Sequence, residues 1–94
     1  FANTQNIEGI LVKMQEFDTV LLSMRGVSYM DISGAITFMQ VLAELQKQGK
    51  KIFLCGVPGS TMNMLKRSGI YDMIGENNFY WSVERALLED GEAA

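Results

Sequence analysis

Two apolar runs separated by a helical pattern constrain the fold of this chain more than any other feature. Residues 19–24 (TVLLSM) are apolar almost throughout instead of alternating, and residues 51–56 (KIFLCG) follow the same pattern. Such runs are typical of strands that are covered on both faces in a parallel sheet. Between them, residues 31–48 repeat apolar side chains at helical spacing. Two strands joined by a helix pair in parallel through a crossover, so the sequence predicts an open, mostly parallel α/β sheet.

The connecting helix is the longest predicted element. Its apolar positions form one stripe, which we expect to face the core: Ile32, Ala35, Ile36, Met39, Leu42 and Leu45. Gly49 follows the stripe and supplies the left-handed residue with which many helices end. The helix is therefore predicted to stop just before Gly49.

The first residues of the chain suggest a further helix. Four apolar residues at helical spacing predict it at about residues 5–16: Ile7, Ile10, Leu11 and Met14. The sheet would then be thin, and the chain opens abruptly on the large apolar Phe1. We therefore expect one or two strands to precede Phe1 and to pair with an edge of the sheet. On this prediction, residues 1–94 are a single domain that is truncated at its N-terminus.

The second half of the chain completes a prediction of about four helices around the sheet. A helix is expected at about residues 60–67, because Pro58-Gly59 and Ser68-Gly69 break the chain on either side. Residues 79–81 (FYW) can add an edge strand, and residues 82–88 can form a last helix. The acidic tail at about residues 90–94 is expected to fray.

Composition and charge exclude several classes of function. The net charge is −3 and the eight basic residues are scattered, which argues against nucleic-acid binding. The chain has no histidine, so it lacks the usual general base and the commonest metal ligand. We therefore predict no enzyme, no metal site and no cofactor. Cys55 lies in an apolar run and is expected to be buried, and no apolar run is long enough to span a bilayer.

The loop after the first apolar run is the candidate functional segment. In open α/β sheets, ligands and partners usually meet the carboxyl ends of the strands. Asp31 or Ser33 can cap the following helix, and this explains the polar residues without any further function. Apolar side chains beside them indicate a contact surface as the alternative. The predicted partner-binding residues are Val27, Tyr29, Met30, Asp31, Ser33 and Gly34.

Two other segments leave alternatives open. The GVPGST segment before the third predicted helix is either a simple turn or a weak nucleotide or anion contact through Gly59, Ser60 and Thr61. Tyr80 and Trp81 are either lids of the core or anchors for a partner helix.

Three motifs in order resemble one family. VSYMDISGA at residues 27–35 resembles the signature loop of STAS domains, the modules shared by sulfate transporters and anti-sigma factor antagonists. LKRSGIYDMIG at residues 65–75 and FYWSVERAL at residues 79–87 resemble later stretches of STAS domains in sulfate permease (SulP) anion transporters. The opening FAN is similar to the segment that enters their first helix. The resemblance covers nearly the whole chain and implies a strand or hairpin before the first helix.

The resemblance implies a regulatory module. In the antagonist branch, the serine before the glycine is phosphorylated, and Ser33 has that position here. Ile32 stands where that branch has a second serine, which brings the chain nearer to the transporters. The implied function is a cytoplasmic interaction domain of a bacterial anion permease, whose partners are its own transmembrane domain and a cytosolic regulatory protein. The alternative is a free-standing anti-sigma factor antagonist that is switched by phosphorylation of Ser33.

Overall fold

Strands and helices alternate along most of the chain in this computed structural model, which describes residues 4–7, 10–15 and 18–93. The strands are β1 (Thr4–Ile7), β2 (Ile10–Gln15), β3 (Thr19–Ser23), β4 (Lys51–Cys55) and β5 (Phe79–Tyr80). The helices are α1 (Ile32–Lys47), α2 (Gly59–Ser68), α3 (Ile70–Ile74) and α4 (Val83–Ala93), with a short 3₁₀ turn at Glu76–Asn78.

The five strands form one sheet in the order β1-β2-β3-β4-β5. The pairs β1–β2 and β2–β3 are antiparallel, whereas β3–β4 and β4–β5 are parallel. Helix α1 makes the crossover from β3 to β4, and Leu21 of β3 pairs with Phe53 of β4 in the register. The predicted α/β class and both central strands are therefore confirmed.

The prediction of a helix at residues 5–16 is wrong, because the described residues of this segment belong to β1 and β2. Strand β2 pairs with β3 over five positions, from Leu11 opposite Ser23 to Gln15 opposite Thr19. A short apolar segment satisfies helical and extended spacing about equally well, so pairing with a neighbouring strand decides between them. The expectation of one or two further strands ahead of Phe1 stays a prediction.

Helix α1 lies close to its predicted position, and part of the predicted stripe, including Ala35 and Leu42, is buried. Its buried side chains are Ala35, Phe38 and Leu42, whereas Ile32 is 61% exposed and Ile36 is 55% exposed. A helix turns by roughly 100° per residue, so Ile36 lies about 120° around the axis from Leu42. The expectation that Ile32 and Ile36 face the core is wrong. Phe38, which was not part of the predicted stripe, is buried in the core instead.

The remaining elements agree with the predictions in outline. Gly69 ends α2 with a φ of 88°, in the left-handed conformation that glycine adopts most readily. Helix α3 follows at once and was not predicted. Helix α4 begins after Ser82, whose hydroxyl accepts a hydrogen bond from the Arg85 amide at 3.1 Å, and it extends to Ala93 instead of Leu88. The fraying of the tail at residues 90–94 stays a prediction.

Alternating side chains of the two central strands build separate cores on the two faces of the sheet. On one face, Val20, Leu22, Ile52 and Leu54 pack with residues of α1, α2 and α3. On the other face, Leu21, Phe53 and Cys55 pack with Ala86 of α4 and with Tyr80 and Val83. The loop from β3 to α1 opens on the first face.

Candidate functional site

The loop between β3 and α1 is held in place by the start of α2. The Thr61 hydroxyl donates a hydrogen bond to the Val27 carbonyl, and the Ser60 hydroxyl donates one to the Ser28 carbonyl at 2.6 Å. Val27 is itself buried, and its amide donates to the Met24 carbonyl at 3.0 Å. The loop therefore has a defined conformation, because two hydroxyl groups from another helix fix its backbone.

These bonds give part of the GVPGST segment a structural role. Thr61 is fully buried, and both hydroxyls of the predicted anion contact are used as donors to the loop. Gly59 is exposed at the first turn of α2, and Pro58, the N-cap residue, makes no side-chain capping bond. The predicted nucleotide or anion contact of Gly59, Ser60 and Thr61 stays a prediction.

Asp31 is the residue that caps α1. Its carboxylate accepts a hydrogen bond from the Gly34 amide at 2.7 Å, and its carbonyl accepts the first helical bond from Ala35 at 2.9 Å. A Cβ atom on Gly34 would lie 3.2 Å from the capping oxygen, so a side chain there would crowd the cap. Asp31 is nevertheless exposed, and its carboxylate has further acceptor capacity towards solvent or a partner.

Ser33 lies on the exposed first turn of α1 and does not take the capping role. A phosphate in this position would be favoured by the helix dipole and opposed by the nearby Asp31 carboxylate. The phosphorylation of Ser33 stays a prediction.

Large apolar side chains are exposed on both flanks of Ser33. Tyr29 is 76% exposed in the loop, and Ile32, Ile36 and Val41 of α1 are all more than half exposed. Around the helix axis Ile36 lies about 40° from Ile32 but Val41 lies about 180° from it, so we call Tyr29, Ile32 and Ile36 the α1 surface. Single exposed apolar residues are normal on proteins, but several on one loop and its helix indicate a contact surface.

An apolar cleft of about 350 Å³ opens beside the α1 surface, between α1, the loop and the sheet. We call it the α1 cleft. Among the predicted partner-binding residues, the cleft brings together Val27, Tyr29, Met30, Asp31 and Gly34. Ser33 is not among its lining residues. Thr37, Phe38 and Val41 complete the wall and were not predicted, because the side of α1 that faces the loop depends on how the helix sits on the sheet.

A second, smaller cleft lies at the carboxyl end of β4. Its volume is about 260 Å³, and its lining includes Met62, Phe79, Tyr80 and Trp81. Tyr80 packs edge to face against Phe53, with 5.4 Å between the ring centroids, as a lid of the core would. Trp81 is 88% exposed, so the lid interpretation is wrong for this residue.

Cys55 is buried and has a free thiol, as predicted. Burial, and then the negative charge of Glu84, raises the pKa of the Cys55 thiol from 9.0 to about 11. A thiol with this pKa is almost entirely protonated at neutral pH. Cys55 therefore packs as an apolar residue in the core on the side of the sheet that α4 covers, which we call the α4 face.

Neither a metal cluster nor a membrane span occurs among the residues that the structure describes. Within residues 4–7, 10–15 and 18–93, no three His, Cys, Asp or Glu side chains are grouped as metal ligands. No helix in the described part of the chain combines the length and the apolar character needed to cross a bilayer.

Comparisons with known proteins point to one family. Residues 1–86 match the family described as the STAS domain. A solved structure of a SulP transporter STAS domain from Vibrio cholerae is similar to this chain, with a TM-score of 0.74 and 29% sequence identity. The similarity covers 86% of this chain and 66% of that one, so the chain spans just under two thirds of the length of its relative. No curated protein matches this chain.

Proposed function

The chain belongs to the STAS domain family, and from this premise we propose that it is the cytoplasmic regulatory and protein-interaction domain of a SulP-type anion transporter. Its partners would be the transmembrane domain of that transporter, at the cytoplasmic face of the inner membrane, and a cytosolic regulatory protein. The transported anion would be of the sulfate, bicarbonate or dicarboxylate class.

The α1 surface is the observation that carries this proposal. Tyr29, Ile32 and Ile36 expose apolar area next to a loop whose backbone is fixed by Ser60 and Thr61. A fixed apolar surface loses little conformational entropy when a partner covers it, which favours docking. The docking face would comprise the loop at residues 27–34 and the start of α1.

Docking can regulate transport only through differential affinity. A partner, or the transmembrane domain itself, would need to bind the docking face more tightly in one transport conformation than in the other. The occupied domain would then shift the population of the transporter towards the favoured conformation.

A comparison of exposed apolar residues in the intact transporter tests the proposal. Ile36→Ser alters the docking face, whereas Leu88→Ser is a matched control, because Leu88 is 62% exposed on α4. We expect anion uptake into proteoliposomes or cells to change with Ile36→Ser and to stay at the wild-type rate with Leu88→Ser. Unchanged uptake and unchanged partner affinity in the Ile36→Ser transporter would contradict the proposal.

The exposure of Ser33 favours one alternative, a free-standing antagonist that is switched by phosphorylation. Phosphate at Ser33 would add negative charge at the centre of the docking face and so alter partner affinity. Mass spectrometry of the protein purified from its native cells tests this. Phosphate on Ser33, in a gene product without a transmembrane region, would replace the transporter assignment.

A further inference from the structure

The α1 cleft has a chemistry that specifies its occupant, and the inference drawn from it rests on the proposed docking function. Its lining includes Ile10 and Leu22 from the sheet, and Met30, Phe38 and Val41 from the loop and α1. Methionine adapts its shape readily to different apolar side chains. The interior of the cleft is therefore suited to aliphatic or aromatic groups.

The geometry of the cleft favours a helix over an extended peptide. An extended peptide usually binds by adding a strand to a free sheet edge. Strand β2, which borders the cleft at Ile10, is paired with β1 on one side and with β3 on the other. The cleft therefore offers side chains and no unpaired strand edge, and this matches the way in which an amphipathic helix lies in a groove.

The size of the groove sets the length of that helix. Asp31 and Val41 mark the two ends of the cleft along α1. Ten residues of α-helix span about 15 Å at 1.5 Å per residue, which corresponds to about three turns of a partner helix lying alongside.

Charge specifies the ends of the partner helix. From residue 26 to residue 46 the sequence contains Asp31 and Glu44 but no lysine or arginine. Glu44 follows Val41 by three residues, so it is a neighbour of Val41 on the helix surface. Arg25, the nearest basic residue in sequence before the loop, directs its guanidinium to the Trp81 carbonyl at 3.5 Å. Asp31 therefore lines one end of the groove, and Glu44 lies about one helical turn beyond the other end.

We propose that the α1 cleft binds an amphipathic helix of a partner protein, about three turns long, with an apolar stripe and a lysine or arginine near each end. The apolar stripe fills the cleft against Met30, Phe38 and Val41. The basic residues lie next to Asp31 and Glu44. An acidic helix is rejected, because its carboxylates would be placed against those of Asp31 and Glu44.

Synthetic peptides test this inference on the 94-residue chain. One helical peptide carries a leucine stripe with lysines at both ends, a second replaces those lysines with glutamate, and a third keeps the lysines but scrambles the stripe. We expect the first peptide to bind in a fluorescence-anisotropy titration, and amide chemical shifts to change in the loop and α1. Equal binding of the lysine and glutamate peptides, or no binding of the first, would overturn the inference.

Three substitutions locate the binding site. Val41→Asp places a charge in the cleft at an exposed position and should weaken binding of the lysine peptide at least tenfold. Asp31→Asn keeps a capping side chain and removes its charge, which should weaken binding by about two- to fivefold. Leu88→Asp on α4 is the control and should bind as the wild type does. Equal losses in all three variants would mean that the peptide binds elsewhere and would overturn the inference.

The outcomes also separate this inference from the proposed function. If Ile36→Ser alters transport but the lysine peptide does not bind the cleft, the docking function stands and the helical partner is wrong. If the peptide binds as expected but neither Ile36→Ser nor Val41→Asp changes transport by the intact protein, the cleft binds a helix and the proposed regulatory function is wrong. A dimer in sedimentation that Val41→Asp dissociates would assign the cleft to a second copy of this chain and overturn the helical partner.

Discussion

The two faces of the sheet are covered in different ways. On the α1 face, twelve buried residues of the described chain form one cluster with side chains from three helices. On the α4 face, the described cluster has four buried residues, Leu21, Phe53, Cys55 and Ala86, under a single helix. The α1 face nevertheless has the α1 cleft and the exposed isoleucines of α1, while α4 exposes Leu87 and Leu88. Its exposed apolar residues therefore do not result from a weak core, which supports their role as a contact surface.

The largest expected effect is a difference in stability between a core residue and a surface residue on the α1 face. Leu54→Ala removes a fully buried side chain and should lower the free energy of unfolding by about 2–5 kcal/mol, because a cavity remains. Ile36→Ala changes a half-exposed residue on the same face and should cost less than about 0.5 kcal/mol. Urea denaturation of both variants measures this difference. Similar losses would mean that Ile36 belongs to the core after all.

The α4 face should respond to alkaline pH through Cys55. The pKa of this thiol is about 11 in the folded chain, against an ordinary value of 9.0. Between these two pH values the folded state holds more protons than the unfolded state, so the free energy of unfolding should fall as pH rises. The slope is at most about 1.4 kcal/mol per pH unit, and the contribution is complete below pH 9.

Cys55→Ala provides the control for this pH dependence. Lysines and tyrosines also titrate in this range, so the difference between the wild-type and Cys55→Ala unfolding curves is the quantity to measure. We expect the wild type to lose more stability than the variant from pH 9 to pH 11. Parallel curves would show that the thiol ionises as easily in the folded chain as in the unfolded chain.

Two hydroxyl groups attach the loop to α2, and we expect their removal to lower the free energy of unfolding by different amounts. Thr61→Val keeps the volume but removes the hydroxyl that donates to the Val27 carbonyl, so a buried acceptor loses its donor. This should cost about 1–3 kcal/mol and shift the amide resonances of the loop. Ser60→Ala removes the bond to Ser28 at an exposed site and should cost less than about 0.5 kcal/mol. Equal effects would argue that neither hydroxyl fixes the loop.

The smallest expected effect concerns the cap of α1. Asp31→Ala should lower the free energy of unfolding by about 1 kcal/mol, because the Gly34 amide loses its acceptor. Asp31→Asn retains an acceptor and should unfold much as the wild type does. Thermal unfolding followed by circular dichroism compares them. A large loss in Asp31→Asn would mean that the charge of Asp31, and not its capping bond, stabilises the helix.

Sequence patterns predicted the elements that local physical chemistry dictates. Strands β3 and β4 were correctly identified because their apolar runs need cover on both faces. The end of α2 was recognised because Gly69 can adopt the left-handed conformation. Asp31 was one of two candidates for the cap of α1, and its capping bond is formed within three residues.

The errors arose where contacts between separate elements decide the outcome. Residues 5–16 fit a helix by spacing, but pairing with β3 makes residues 10–15 a strand. Tyr80 and Trp81 are adjacent in sequence, yet one packs on Phe53 while the other is exposed. Local propensity could not distinguish these alternatives, because each depends on packing or pairing with another element.

By itself, the sequence determined the α/β class, the two central strands, the long connecting helix and the loop at residues 27–34 as the candidate site. Only the tertiary structure decided which side of α1 is buried, and therefore that Ile32 and Ile36 are exposed while Phe38 is in the core. Only the tertiary structure joined the loop to Thr61, 34 residues away, and closed the cleft with Val41. The physical reason is that an apolar stripe on a helix is broad enough for several orientations, and packing on the sheet selects one of them.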